Sequence, residues 1–599
     1  MPSSLRKLLH ATATALGVFV ISLSAAQAAN DFTTETRAHS LLGSYLAANL
    51  AKGSNDSTGA AAFYRSALQL DPNNAVLIEQ AFQTEAAAGN WERAVPLARQ
   101  LVAKDADNRM AHLLLGLDAF KRSNYTKADE EFRKASDGPI GELTSTLARA
   151  WAAAGSGNAQ RALNLLAMPR QAEWAQFYLN YHKALIADVL GRTEEATASY
   201  EHSMRQDATT LRIALAFARH AARNGNLKRA NEILSMQAER TQPEPHVLVR
   251  ELQDAIAPGK KKVDLLVSTP SEGIAEVFYG LGEALTSEGG LSMGVLYLQL
   301  ALYAEPKHPF ALAALASAYE SGQRYQDAIN AYDRIPPGTA LQSAIDIRKA
   351  FDLNSLDKAD EAKQILDRLA KQEPDDLKPL DALGNILRAR KRYDEAADVY
   401  TRAIKLIPKP DKRHWSIYYS RGTCYERLKN WPAAEADLKK ALELYPDQPL
   451  ALNYLGYSWI DQNVNLKEGM SLIEKAVALK PDDGYIVDSL GWAHFKLGNY
   501  AEAVRFLERA VELKPQDPVL NDHLGDALWR VGREREAKFQ WDQSLTLDPE
   551  PDEVEKIKKK LAEGLPPSLE AAHTSQRETM RRAHQKRRKE TKLNPALVE

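Results

Sequence analysis

A step of 34 residues governs this chain. Leu490-Gly491 returns as Leu524-Gly525, Ala503 as Ala537, Ala510 as Ser544 and Pro515 as Pro549, each 34 positions on. Upstream, Pro481 precedes Pro515 and Ala476 precedes Ala510 by the same step. Self-similarity at a fixed step in this range marks a solenoid, in which each unit buries its apolar face only against its neighbours. Within a unit, apolar residues recur at helical spacing on both sides of a short turn such as Leu497-Gly498-Asn499, so the unit is a helical hairpin. Gly491 falls inside the first helix, where it costs about 1 kcal/mol relative to Ala. Its use there is close approach, since the two helices meet where a side chain would obstruct them. The proline ends the second helix and opens the next unit.

Further copies run through most of the chain. One carries Leu281, Gly282, Leu298, Ala301 and Pro306; another Gly384, Ala396, Tyr400, Ala403 and Pro408. A third has Gly422, Tyr425, Ala434, Leu438, Ala441 and Pro446. Near the front, Gly116, Ala128, Phe132 and Ala135 fit, with Ala94 one step before Ala128. This pattern resembles the tetratricopeptide repeat. The resemblance implies an all-α solenoid of helical hairpins wound as a right-handed superhelix, about a dozen repeats long. Gly456 to Pro481 is one residue longer than Gly491 to Pro515, which predicts a lengthened turn within Asp461–Leu466. From Asp137 to Glu239 the hairpins stay helical but mostly lose Leu-Gly and Pro.

Composition bounds the rest. With 44% hydrophobic and 26% charged residues, the 599-residue chain is globular, and its net charge of −2 argues against nucleic acid as a partner. Five segments are expected. Residues 1–28 read as a signal peptide: Arg6 and Lys7, an apolar stretch to Ser24, then Ala26-Gln27-Ala28 before the cut. A retained membrane anchor is the competing reading, although the stretch is short for a span. Residues 29–241 form a degenerate helical array, 242–271 a Pro-rich linker or irregular repeat, and 272–562 the regular array. Residues 563–599 are a basic tail; Ser575–Pro595 carries eight Lys or Arg against two Glu. The tail is either a solubilising segment or an attachment to an anionic envelope surface. After cleavage no run reaches transmembrane length, so the expected location is the periplasm, exported and soluble, or peripheral to one of the two membranes.

Motifs for catalysis are missing. There is no phosphate-binding Gly-x-x-x-x-Gly-Lys, His-Glu-x-x-His or Gly-x-Ser-x-Gly, and Cys424, the single cysteine, permits neither a disulfide nor a Cys-rich zinc site. Gly155-Ser156-Gly157 reads as a hairpin turn, His494 as a packing residue and Cys424 as a small buried thiol. No cofactor or metal is expected. What remains is surface. The resemblance implies that first helices line a concave face that binds peptides. Carrying those positions across selects Asp381, Asn385 and Arg388; Tyr419, Thr423 and Glu426; Asn453 and Tyr457; Asp488, Trp492 and Phe495; and Asp522, Asp526 and Trp529. Rings and carboxylates interleave there, as at interfaces that anchor a basic side chain, although Trp492 and Trp529 serve equally to seal adjacent repeats. The family's carboxylate clamp does not transfer, because Asp381 and Asp488 stand where its Lys is needed. The expected function is a non-enzymatic scaffold or adaptor of the bacterial cell envelope. The alternatives are an outer-membrane accessory of polymer export or envelope assembly, and an enzyme whose chemistry lies within residues 137–275.

Overall fold

The computed structural model describes residues 40–566, apart from 55, 168–172, 208, 242–243 and 258–262. The expected signal segment, and the tail beyond residue 566, lie outside the described residues. Among these there are thirty α-helices: fourteen hairpins and two single helices, Val247–Ala255 and Pro551–Glu563. The chain divides into two compact units, the first ending at Leu369 and the second starting at Ala370.

The glycine register does what the sequence predicts. A Cβ on Gly491 would stand 2.6 Å from Leu507 Cγ and 3.1 Å from its backbone nitrogen. The partner lies 16 residues on, as it does for Gly384 with Tyr400, Gly422 with Leu438 and Gly525 with Trp541. In the longer repeat Gly456 meets Ile473, 17 residues on. The extra residue sits in the turn, where Asn463 and Asn465 both adopt the left-handed conformation, φ 57° and 47°. Elsewhere in this unit one left-handed residue suffices, such as Lys391, Lys429 or Gly498. Capping also follows the repeat: Asp483 and Asp517 each accept hydrogen bonds from two amides of the helix they open.

The first unit does more than stack. Helix Leu291–Ala304 is apolar on every side and buried from Gly294 to Leu302. A helix of that kind needs neighbours all round, and it finds them 185 to 212 residues upstream. Gln299 Nε2 donates to Ala87 O at 3.2 Å, Tyr303 OH donates to Asp118 at 3.0 Å, and the Tyr303 ring lies 4.6 Å from Trp91. Helix Pro270–Ser287 packs on Gly138–Gly155, with Gly273 against the ring of Trp151. The array therefore curls until its own later helices fill its inner side. The sequence places a linker or irregular repeat at 242–271. The helices that follow that segment complete the first unit, and the division falls at Leu369.

Candidate functional site

The inner positions selected from the sequence sit on five successive first helices of the second unit: Lys378–Ala389, Trp415–Arg427, Pro449–Asp461, Gly484–Lys496 and Pro518–Arg530. On the first, Asn385 Oδ1 accepts from Tyr400 OH at 3.0 Å. Burial raises the Asp381 carboxyl, opposed by a hydrogen bond from Asn385 and by the charge of Arg388. On the second, half-buried Tyr419 meets Tyr454 edge-on at 5.8 Å, and Tyr454 OH donates to Glu426 at 3.0 Å. Thr423 is turned into its own helix, donating to Ser420 O at 2.8 Å. On the third, burial and the charges of Asp461, Asp488 and Glu426 push the Tyr457 hydroxyl well above its ordinary range.

On the last two helices the carboxylates already have partners. Asp488, 6% exposed, holds His523 Nδ1 at 3.0 Å from both its oxygens. Burial alone would lower the His523 pKa, but the charge and hydrogen bond of Asp488 outweigh it and hold it raised. Trp492 stacks between His523, 4.0 Å away, and Phe495, 4.8 Å away. Asp522 and Asp526 are bridged by Lys560 of the final helix, whose Nζ lies 2.8 Å from each. Asp526 also accepts from Trp541 Nε1 at 2.9 Å, and Trp529 packs 5.4 Å from that ring beside Leu561 and Leu565. Thus Asp488, Asp522, Asp526, Trp492 and Trp529 all take part in joining one repeat to the next, and the rings of Tyr419, Tyr457, Trp492, Phe495 and Trp529 all stay partly exposed.

Sequence reasoning missed Lys560, His523 and Tyr400 as members of this face. For Lys560 the signal existed, since it stands one 34-residue step after Asp526. His494 packs, its ring 5.4 Å from Phe506 and nearly parallel to it. Cys424 is buried, and burial pushes its thiol up to about 11.

The titratable groups around residues 137–275 gather on two buried carboxylates: Asp188, which accepts from Tyr200 OH at 2.9 Å and lies 2.5 Å from His220 Nδ1, and Glu276. Glu276 accepts from Arg212 Nε at 2.8 Å and Nη2 at 2.7 Å and from Tyr181 OH at 3.1 Å, with His308 Nε2 at 3.3 Å. His182 accepts from Trp151 Nε1 at 3.1 Å, and burial lowers its pKa to about 4. Each group is spent on another, which is the wiring of a crosslink between helices. Among the described residues no group of three or more His, Cys, Asp or Glu could hold a metal, and no helix is long and apolar enough to cross a membrane.

Models of the tetratricopeptide repeat match residues 80–139, 311–335, 380–447, 419–484 and 487–517. The chain is a tetratricopeptide-repeat protein. A TPR repeat-containing protein of Pseudomonas aeruginosa is 30% identical over 195 residues, covering 32% of this chain and 32% of that protein. Bacteriophage adsorption protein A of Escherichia coli is 31% identical over 97 residues, 16% of this chain and 9% of that one. The human tetratricopeptide repeat protein 13 is 30% identical over 142 residues, 24% of this chain and 16% of that one. The chain spans about a third or less of each of these relatives. Among solved structures, the Cut9–Hcn1 hetero-tetramer of the APC/C gives a TM-score of 0.37 at 15% identity, covering 87% of this chain and 96% of that one. Yeast Tom70 gives 0.34 at 14% identity, covering 90% and 96%. Tetratricopeptide repeats in general mediate protein–protein interactions, and as a fold they serve as scaffolds more often than as catalysts.

Proposed function

We propose that this TPR protein is a non-enzymatic scaffold of the bacterial cell envelope that holds a basic partner polypeptide against the first helices of its second unit. The observation that carries this reading is Lys560. One lysine from a helix already lies on this face, its ammonium between Asp522 and Asp526 and its helix beside the ring of Trp529. The neighbouring repeats offer the same ingredients with partly exposed rings: Tyr419, Tyr457, Trp492 and Phe495, with Glu426 and Asp461 close by. Rings cover the stem of a lysine or arginine while carboxylates hold its head. Asp381, Asn385 and Arg388 extend the face at its other end. Export rests on Ala26-Gln27-Ala28 behind a short apolar core.

The test places a photo-crosslinking residue at Tyr457 or Phe495 in the full chain expressed in a Gram-negative host. The captured partner is then titrated against wild type, Tyr457→Ala, Phe495→Ala and Trp492→Ala. Loss of one anchoring ring commonly weakens binding about thirtyfold. If the three variants melt like wild type and bind as tightly, the partner sits elsewhere. For the envelope placement, the amino-terminal mass decides: a chain beginning at Ala29 in the periplasmic fraction supports export, and one retaining residues 1–28 in the cytoplasm overturns it.

A further inference from the structure

The first unit contains a cavity of about 190 Å³ where helices Leu291–Ala304 and Pro309–Ser321 return onto the front of the array. Its wall is largely apolar, formed by Met110, Met293, Leu296 and Ala318 among others. Two cations, Lys52 and Arg324, join the uncharged polar side chains of Ser57, Gln83, Thr84, Ser292 and Tyr319 in the lining, and no carboxylate does. Arg324 is paired with Asp327 at 2.8 Å and donates to Ser57 Oγ at 3.2 Å, so its charge is already balanced. Lys52 is exposed at the rim and donates to the neutral amide oxygen of Gln80 at 2.7 Å.

Three physical points converge on a ligand class. Close-packed interiors keep few cavities much larger than a water molecule, and an apolar one of about 150 Å³ is known to take benzene. This cavity is somewhat larger, enough for a chain of about six to eight carbons. Methionine side chains re-pack around guests of different shape, and two of them line it. A cation at the rim with no lining carboxylate favours a ligand that brings its own negative charge, because a charge-assisted hydrogen bond is roughly twice as strong as a neutral one.

We infer that this seam cavity binds a medium-chain aliphatic carboxylate, its chain between Met110, Met293 and Leu296 and its carboxylate on Lys52. The site belongs to the first unit and is independent of the partner-holding face proposed for the second. Octanoate is the probe, titrated calorimetrically into the full chain, with 1-octanol as the uncharged control. Octanoate is expected to bind about tenfold more tightly than octanol. Lys52→Met should remove that preference and leave octanol binding unchanged. Ser292 is an exposed residue of the lining, so Ser292→Trp should block the mouth without disturbing the fold and weaken both probes at least about tenfold. Ala318→Leu, checked for an unchanged melting profile, should do the same by filling the wall. Absence of octanoate binding, equal affinity for octanoate and octanol, or binding indifferent to Ser292→Trp each overturns the assignment.

Discussion

Lys560→Met removes one charge from the second unit and keeps the side-chain stem. Its Nζ lies 2.8 Å from both Asp522 and Asp526, and the three side chains are 19%, 13% and 7% exposed. Taking one partner from a buried ion pair costs about 3–5 kcal/mol, because the other charge is left unpaired. Protonation caps that cost. At pH 7 an ordinary carboxyl is about three units above its pKa, so neutralising it costs about 4 kcal/mol at 1.36 kcal/mol per unit. Burial already raises Asp526, which lowers the cap, and about 3 kcal/mol is the working value. This helix, the last among the described residues, has one buried apolar side chain, Ile557, so the loss is local to it rather than global. Amide exchange across Pro551–Glu563 should therefore speed up about 150-fold in the variant.

The pH dependence separates this from lost packing. Lys560 has a raised pKa in the folded state, its burial being outweighed by Asp526 and Asp522. Its contribution is thus complete below the ordinary lysine value and is lost only as the pH rises through the higher folded one. Wild-type exchange across Pro551–Glu563, corrected for its intrinsic rate, should be flat from about pH 5 to 9. In the variant, Asp526 needs no counter-ion once protonated, so the penalty should shrink as the pH falls towards 4. On an Asp526→Asn background, Lys560→Met should cost about 2 kcal/mol less. An acceleration under about fivefold, or one equal at pH 4.5 and 8, would refute the reasoning.

Gly491→Ala should destabilise by about 1–3 kcal/mol in urea, since the added Cβ would lie 2.6 Å from Leu507 Cγ. By contrast, Gly498→Ala, at φ +80° with open space around it, should cost only about 1 kcal/mol, from backbone strain. His523 has a raised folded pKa, so its contribution is complete below its unfolded value of about 6.5 and is lost as pH rises through the folded one. Exchange protection of Gly484–Lys496 and Pro518–Arg530 should fall as the pH rises above about 6.5 in wild type and stay level in His523→Asn. Cys424 should resist iodoacetamide at pH 8 in the native protein and react fully in denaturant, because burial pushes its thiol up to about 11.

The 34-residue step made the hairpins legible, because it fixes which residues face each other within and between neighbouring repeats. Gly491 and Leu507, Gly384 and Tyr400, and the displaced Gly456–Ile473 pair are all readable from that register. Closure of the first unit was not, because Gln299 with Ala87 and Tyr303 with Asp118 join residues 212 and 185 apart, and no local period encodes such pairs. The one advance sign was composition: "LSMGVLYLQLALYA" has no polar face, and a helix without one cannot lie on the outside of an array. For the second unit the register identified equivalent positions but not whether each polar group there would be matched. Asp488 finds His523, and Asp522 and Asp526 find Lys560, so those carboxylates join repeats.

The unmatched groups are the more informative ones. Among the described residues, Arg388 Nε, Asn453 Oδ1 and Trp492 Nε1 are buried and lack hydrogen-bond partners. Each sits on a first helix of the second unit at a position selected for partner contact. An unsatisfied buried polar atom costs about 1–3 kcal/mol, so a partner group that reached one of these atoms would gain by pairing it. Because these atoms are covered in the free protein, pairing requires the neighbouring rings to shift. A partner that binds here should therefore change the environment of Trp492, and its indole proton should move in the NMR spectrum on binding. A captured partner that leaves that proton in place, while Phe495→Ala still abolishes binding, would mean that the rings are held rigidly and that the unmatched atoms take no part.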